Sequence, residues 1–314
     1  MEELTQTALG TPLPTSPSAG DERSGLLWGT GAYLFWGFVT IYWKGLKGFN
    51  AFEVIGYRVT SSALVMTIGL RTTGRLRPLL RKLSDRQTLQ RVILSSLVLT
   101  ANWTVYVWAV VHGHVLETAL GYFITPIGLM MAGVMLMHER LRNVQKLVLV
   151  FAIASVIVLT IGYGKFPWIS LVIALTWVTY SVTKKRSTLN AFESLTAETL
   201  VVVVPSIGLV VWGATRATSI PHLADTFHWA LVGFTGVVTA IPLLMFAAAA
   251  QRIKLTMMAL VQYIVPTINF FLGWLLYHES LTTTRVIGFV LVWIGLAIVS
   301  FDSLRRIEGS GTVG

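Results

Sequence analysis

Apolar residues along this chain occur in long, nearly continuous runs, which are separated by short segments containing charged residues, Gly or Pro. About 20 helical residues cross the ~30 Å hydrocarbon core of a bilayer, because each residue rises about 1.5 Å. The strands of a membrane barrel would instead alternate polar and apolar positions over about ten residues. The pattern therefore predicts an all-α integral membrane protein with ten transmembrane helices, near residues 25–43, 51–70, 92–111, 115–137, 147–163, 166–183, 195–213, 227–250, 255–277 and 286–301.

The connections between these runs differ in positive charge. Most Lys and Arg residues lie in every second connection, and the segment at 71–91 carries the largest group. Cytoplasmic connections of membrane proteins are enriched in these residues. The distribution predicts a multi-pass protein of the cell membrane, with the N-terminus and the C-terminus both in the cytoplasm.

An internal repeat appears when the chain is compared with itself at an offset of 140 residues. Residues 50–53 (Asn-Ala-Phe-Glu) recur at 190–193, and the pair His-Glu at 138–139 recurs at 278–279. Each copy contains five apolar runs, so the second copy enters the membrane from the opposite side. Such inverted repeats are typical of secondary transporters, whose halves exchange an inward-open and an outward-open state around one site. A duplication kept only for helix packing is the alternative.

The repeat divides the chain into two halves of five helices each. The first half covers residues 24–146 and is completed by a fifth helix at 147–163, and the second half covers 164–303. Residues 1–23 are rich in Thr, Pro and Ser and lack the basic start and apolar stretch of a signal peptide. They are predicted to form a disordered cytoplasmic tail, and residues 304–314 a second cytoplasmic tail.

Composition narrows the function class. With 54% hydrophobic and 12% charged residues and a mean hydropathy of +0.70, the chain is too apolar for a soluble domain. The net charge of +10 follows the connections and forms no amphipathic basic face, so no nucleic-acid partner is predicted. The absence of Cys from the sequence excludes thiol nucleophiles and thiolate metal sites.

The sequence contains no motif typical of a hydrolase or of a cofactor site. It has no His-Glu-x-x-His, no Gly-x-Ser-x-Gly and no ATP-binding Gly-rich loop. We therefore predict that the chain is not an enzyme, with no catalytic residues, no metal and no cofactor. A polytopic membrane enzyme and a structural membrane protein remain the alternatives to a transporter, and the expected partners of a transporter are the lipid bilayer and a small solute.

Two prolines occupy corresponding positions in the halves and are predicted to break their helices. Pro126 and Pro266 are separated by the repeat offset, and a broken helix exposes backbone groups to a ligand. Helical spacing places Gln262 and Asn269 on one face around Pro266, and Tyr122 on the corresponding face around Pro126. Those polar groups either line a cavity or hydrogen-bond across a helix contact.

Aromatic and amide side chains supply further candidates for solute binding. Their rings can stack on planar or apolar solutes, while their polar edges orient the solute. The interfacial aromatic belt of membrane proteins is the alternative for these residues. The candidates are Tyr33 and Trp36 in the first run, Asn102, Trp103 and Tyr106 in the third, and Tyr180 in the sixth.

Ionisable residues inside apolar runs are costly and therefore mark functional positions. Arg58 and Glu198 are such residues, and they are related by the repeat offset. We predict that Arg58 pairs with Glu198 or Glu53 and that breaking this pair contributes to conformational switching; a static bridge is the alternative. Glu117, near the predicted outer mouth, is the best candidate for a proton relay, and coupling to protons is left open.

A family resemblance adds to this interpretation and extends over nearly the whole chain. The segments that carry it include Tyr33-Leu34-Phe35-Trp36-Gly37, Asn102-Trp103, Leu120-Gly121-Tyr122-Phe123-Ile124, Thr239-Ala240-Ile241-Pro242 and Gln262-Tyr263-Ile264-Val265-Pro266-Thr267. In these segments the chain resembles the drug/metabolite transporter superfamily with its paired EamA domains, and within it the RarD proteins. This resemblance implies a ten-helix, exporter-like fold in the cytoplasmic membrane, acting on small metabolites or drugs, and it specifies no substrate. Thr40 and Thr125 depart from the residues usual in the family.

Overall fold

A computed structural model describes residues 19–111, 114–276, 278 and 282–310 of the chain. Within these residues all regular structure is helical, as the apolar runs predict. The helices are α1 (Ala19–Lys44), α2 (Ala51–Thr72), α3 (Leu76–Leu83), α4 (Arg86–Val111), α5 (Val115–Met137), α6 (Asn143–Tyr163), α7 (Trp168–Lys185), α8 (Ala191–Ala214), α9 (Ile220–Leu223), α10 (Thr226–Arg252), α11 (Leu255–Gln262), α12 (Ile264–Phe271) and α13 (Thr283–Ser310), with a π-helical turn at Leu272–Leu276.

Six helical stretches of the described chain are long and apolar enough to cross a membrane: Arg86–Ala109, Glu117–Met137, Asn143–Gly162, Ala191–Ala214, Thr226–Arg252 and Leu255–Leu276. Large apolar side chains such as Leu175, Val204 and Phe234 are exposed on the outside of the bundle. In water such a surface would be unfavourable, whereas lipid solvates it. The prediction of an all-α membrane protein is confirmed, and the count of ten spans stays a prediction.

The helices extend beyond the predicted runs at both ends of the chain. Helix α1 begins at Ala19, inside the predicted disordered tail, and α13 continues to Ser310, inside the predicted C-terminal tail. A run of apolar residues marks the part of a helix that lies in lipid, and a helix can continue into water beyond it. Residues 1–18 and 311–314 lie outside the described residues.

A short helix that the sequence interpretation missed lies in the basic connection at 71–91. In α3, Leu79 is fully buried, and Leu76 and Leu83 pack against the same apolar cluster. The other positions of α3 are mostly basic or exposed, so the helix has one apolar face and one charged face. This spacing is typical of a helix that lies along a membrane surface.

Helix bounds repeat along the chain at the offset found in the sequence. Helices α2 and α8 begin at Ala51 and Ala191, each after an asparagine whose side-chain oxygen accepts backbone N–H bonds of the first turn. His138 and His278, also 140 positions apart, both have left-handed backbone, with φ of 54° and 52°. The two copies therefore share helix starts and a strained turn.

The packing of the helices follows the same symmetry. Helix α2 packs along its counterpart α8, α6 along α13, and α5 against α11. Contacts between α1 and α10 correspond to contacts between α7 and α4. These pairs are expected when two similar units face each other around an approximate two-fold axis. The orientation of the two units across a membrane stays a prediction.

The two corresponding prolines have different effects on their helices. Helix α5 is continuous from Val115 to Met137, so the prediction that Pro126 breaks its helix is wrong. The hydroxyl of Thr125 donates to the Gly121 carbonyl at 2.7 Å, one of the local adjustments by which membrane helices tolerate proline. Near Pro266 the helix is interrupted at Tyr263, between α11 and α12. Proline has no N–H for the carbonyl four residues earlier, here that of Gln262.

Candidate functional site

Arg58 of α2 lies in a cluster of polar and aromatic side chains from several helices. Its Nε donates to Thr239 Oγ1 of α10 at 2.7 Å. The guanidinium carbon lies 4.1 Å from the centre of the Trp103 ring and 4.9 Å from that of Trp43. Cation–π contacts at these distances stabilise a cation in an apolar setting. This group of residues is called the Arg58 cluster below.

The predicted ion pair of Arg58 with Glu198 or Glu53 is wrong for this structure. Both oxygens of Glu53 accept a hydrogen bond from the Ile220 backbone N–H, at 3.1 and 3.2 Å, and so cap the start of α9. Glu198 bonds to a different cation, Lys184. Equal positions in the two copies do not by themselves bring two side chains into contact, because Arg58 bonds to α10 whereas Glu198 bonds to α7 and α4.

A second polar cluster surrounds Glu198 and is fully buried. Lys184 Nζ lies 2.7 Å from Glu198 Oε1, and both side chains are at most 2% exposed. The same carboxylate accepts hydrogen bonds from Ser95 Oγ at 2.6 Å, Ser194 Oγ at 3.1 Å and Tyr180 Oη at 3.3 Å. A buried charge pair is stable only when such additional hydrogen bonds satisfy it. The five side chains form the Glu198 cluster.

A narrow pocket is lined by residues of both clusters. It has about 370 Å³ of empty space, including open space at its mouth, and its enclosed part has room for roughly one water molecule. Trp103 and Thr239 of the Arg58 cluster line one part of it, and Glu198 lines another. A second pocket of about 260 Å³ is lined by Glu198 and Lys184 together with Arg91. Glu198 therefore borders both spaces.

Several aromatic candidates pack against one another instead of lining open space. Tyr33 and Tyr180 are almost completely buried, and Trp36 contacts Trp177 with ring centres 5.3 Å apart. Phe246 of α10 lies at the centre of this group and stacks on Tyr180 at 5.9 Å. In this conformation the group forms the main apolar core between α1, α7 and α10.

The other candidates from the third and fourth runs lie at two different places. Asn102 Nδ2 donates to the Ile173 carbonyl and to Thr176 Oγ1, both at 2.9 Å, and so joins α4 to α7. Tyr106 and Tyr122 face each other with ring centres 6.4 Å apart. Both phenols lie within electrostatic range of Arg58. Tyr106, Tyr122 and Trp103 therefore belong together near Arg58, whereas Asn102 connects helices.

The interrupted helix near Pro266 separates the polar residues that were expected on one face. Gln262 ends α11 and accepts a hydrogen bond from Tyr33 Oη at 3.4 Å. Asn269 lies in α12, and its buried Oδ1 has no hydrogen-bond partner among the described residues. Between them, the buried hydroxyl of Tyr263 also has no partner in the described part of the chain. Gln262 and Asn269 therefore lie in two different helical segments.

Two further acidic residues, the candidate Glu117 and Glu139, lie at helix ends. Glu117, in the first turn of α5, lies 3.0 Å from the His114 ring nitrogen Nδ1 and is buried. Glu139 accepts hydrogen bonds from the backbone N–H groups of Leu255 and Thr256, at 2.9 and 3.0 Å, and caps α11. Caps of this type satisfy N–H groups that the helix cannot satisfy itself. A relay role for Glu117 stays a prediction.

Five residues of the two clusters were not among the sequence candidates: Trp43 and Thr239 near Arg58, and Ser95, Lys184 and Ser194 around Glu198. Lys184 directly follows the apolar run at 166–183 and so falls in a predicted cytoplasmic connection, and Trp43 is the last residue of the first run. Thr239 was noted only as part of a family motif. One signal was available for Lys184, since it corresponds to Lys44 at the repeat offset, and a basic residue retained in both copies is unexpected in a loop.

Comparisons with known proteins agree with this architecture. The family model described as EamA-like transporter family matches residues 23–161 and again 167–301. Protein RarD of Streptomyces exfoliatus is 40% identical over 293 residues, which cover 92% of each chain. Protein RarD of Escherichia coli is 29% identical over 91% of this chain and 97% of its own. The uncharacterized transporter YojE of Bacillus subtilis is 30% identical over 91% and 96%.

A solved protein crystal structure has the same fold, with a TM-score of 0.69 at 17% identity, over 88% of this chain and 98% of that one. The family model matches most of the chain in two consecutive copies, which fall on the two halves of the internal repeat. The chain therefore belongs to the EamA-like transporter family of the drug/metabolite transporter superfamily, as a RarD-like membrane protein.

Proposed function

We propose that this chain is a secondary transporter that exports small metabolites or drugs across the cell membrane by alternating access. It has ten spans in two inverted halves of five, with both termini in the cytoplasm. The solute path runs from the Arg58 cluster through the narrow pocket to the Glu198 cluster. The names of the relatives as transporters support the function class and fit the expectation that the chain is not an enzyme.

One observation carries the proposal: residues of two polar clusters line a single pocket inside a bundle with an apolar exterior. Polar and charged groups inside a membrane protein are expensive, and they are characteristic of solute and ion pathways. A structural membrane protein has no need for an Arg, a Lys and a Glu at such positions. The approximate two-fold packing supports two exchangeable states around this path.

The path is closed in this structure, because its enclosed part has room for roughly one water molecule. The buried Lys184–Glu198 pair lines the second pocket together with Arg91, whose connection is predicted to be cytoplasmic. We propose that this pair closes the inner end, and that the path opens when α7 separates from α8. Glu117 at the other end remains the candidate for proton coupling.

Filling the pocket should abolish transport. Val202 lines the pocket from α8, whereas Val204 on the same helix is 74% exposed toward lipid. We expect Val202→Phe to block solute movement because the added ring occupies the path, and Val204→Phe to leave it unchanged. The measurement is cellular accumulation of a panel of drugs and metabolites by mass spectrometry, in cells with wild-type protein, either variant or empty vector.

The proposal is supported if some solutes accumulate less in cells with wild type or Val204→Phe than in cells with empty vector. At equal expression, Val202→Phe should not lower their accumulation. A panel in which no solute distinguishes wild type from empty vector would count against export. Adding a protonophore to the same cells tests coupling. Unchanged export after the proton gradient is dissipated would favour an exchanger or facilitator over a proton antiporter.

A further inference from the structure

Most of the hydrogen-bonding capacity of Arg58 is unused. A guanidinium carries five N–H donors, and among the described residues its recorded hydrogen bond runs from Nε to Thr239 Oγ1. The carboxylates of Glu53 and Glu198 are bonded elsewhere, and no ion pair with Arg58 is found in the described part of the chain. The donors on Nη1 and Nη2 are therefore available to an acceptor other than these two carboxylates.

The charge balance of the path also indicates that Arg58 can accept an anionic partner. Lys184 and Glu198 neutralise each other at the inner end. Arg58 has no such partner, so the path carries a net positive charge. In surroundings of low dielectric constant this charge attracts an anion and repels a cation much more strongly than it would in water. An anionic group beside Arg58 would complete the balance.

The surroundings of Arg58 indicate what the rest of the solute is like. Besides the two indole rings, three tyrosine phenols lie within electrostatic range of Arg58: Tyr42, Tyr106 and Tyr122. Rings of this kind pack on flat apolar bodies, and their hydroxyl groups donate to or accept from polar substituents. The pocket begins at the same place, since Trp103 and Thr239 belong both to its lining and to the Arg58 cluster.

The shape of the guanidinium favours a carboxylate as the anion. Its planar edge offers parallel N–H donors that match the two oxygens of a carboxylate. The contacts with Trp103 and Trp43 and the bond to Thr239 restrict the side chain before a solute arrives. A donor group held in place in this way loses less conformational entropy on binding.

We infer that Arg58 binds the carboxylate of a monoanionic aromatic acid, with the ring of the acid against the indoles and phenols around it. The inference deepens the proposed transport function by naming a solute class, and it depends on that function only for the movement of the acid. Neutral and cationic aromatic solutes of the same size are disfavoured at this position.

The test uses three probes of nearly equal shape: 4-hydroxyphenylacetate, its neutral amide and the cation tyramine. Affinities for the purified full chain in detergent are measured by calorimetry. We expect wild type to bind the acid about 10- to 100-fold more tightly than the amide or tyramine, because a charge-assisted hydrogen-bonded pair has that effect on an equilibrium. Arg58→Gln should reduce acid binding to the level of the amide, and Arg58→Lys should retain part of the preference.

The control is Arg216→Gln, because Arg216 also lies over a tryptophan ring, that of Trp212 at 3.9 Å, but in the connection after α8. This variant should keep the wild-type preference. Equal binding of acid and amide by wild type, or no saturable binding of the acid, would overturn the inference, and neither result requires a folded Arg58 variant. The same probes in proteoliposomes separate the two proposals. Binding of the acid without flux would support the inference and contradict the transport proposal. Equal flux of all three probes would support transport and contradict the inference.

Discussion

Replacing Lys184 with methionine is expected to destabilise the folded protein by about 3–5 kcal/mol, the usual cost of leaving one partner of a buried ion pair without the other. Lys184 and Glu198 are both almost fully buried and lie 2.7 Å apart. The variant leaves the Glu198 carboxylate with hydroxyl donors alone. The midpoint of thermal unfolding in detergent, followed by circular dichroism, should fall strongly.

Two further variants test whether the burial of the ion pair is the reason for the destabilisation by Lys184→Met. The double variant Lys184→Met, Glu198→Met should recover most of the stability, because a buried ion pair can be replaced by apolar residues of similar volume at little cost. Lys82→Met breaks the Lys82–Glu193 pair, in which Lys82 is 47% exposed, and should change stability by about 1 kcal/mol or less. Equal destabilisation by Lys184→Met and Lys82→Met would contradict the account of the Glu198 cluster.

The second large effect is expected at Gly236, where the backbones of α10 and α2 lie close together. A Cβ atom at this position would lie 2.5 Å from the Ser61 carbonyl carbon and 2.6 Å from the Ser62 nitrogen. Because both atoms belong to the backbone, the helices must separate to admit alanine. Overpacking of this kind costs about 1–3 kcal/mol, and Gly236→Ala should lower the unfolding temperature accordingly.

Gly233 provides the matched control on the same helix. A Cβ atom there meets nothing within 4 Å, so Gly233→Ala brings only the higher helix propensity of alanine, a gain of up to about 1 kcal/mol. The two substitutions should therefore shift the unfolding temperature in opposite directions. A similar shift for both would show that helix propensity, and not the close approach of α10 to α2, decides stability at these positions.

The helices could be predicted from the sequence because lipid imposes a simple rule on it. A segment that crosses the bilayer must be long, apolar and helical, and the runs at 115–137 and 227–250 match α5 and α10 within two residues. Polar segments follow no such rule, so the start of α1 at Ala19 and the surface helix α3 could not be located. Their position depends on side-chain packing in water or at the membrane surface.

The candidate site was predicted only in part, for a related reason. The repeat offset identified Arg58 and Glu198 as corresponding positions, and both lie in polar clusters. It could not show that Lys184, at the end of α7, occupies the space beside Glu198. Partners are set by which helix faces meet in three dimensions. The same limit applies to Pro126 and Pro266, whose equal positions in the sequence produce a continuous helix in one copy and an interrupted helix in the other.

The central claim is that the two halves are inverted, so that corresponding positions face opposite sides of the membrane. Gly48 and Thr188 are 140 positions apart, are both exposed and lie in the connections before α2 and α8. Because the chain has no cysteine, Gly48→Cys and Thr188→Cys each introduce a single thiol. In intact cells a membrane-impermeant maleimide should label Gly48→Cys and leave Thr188→Cys unmodified until the membrane is permeabilised. Labelling of both thiols from the same side would contradict the inverted arrangement.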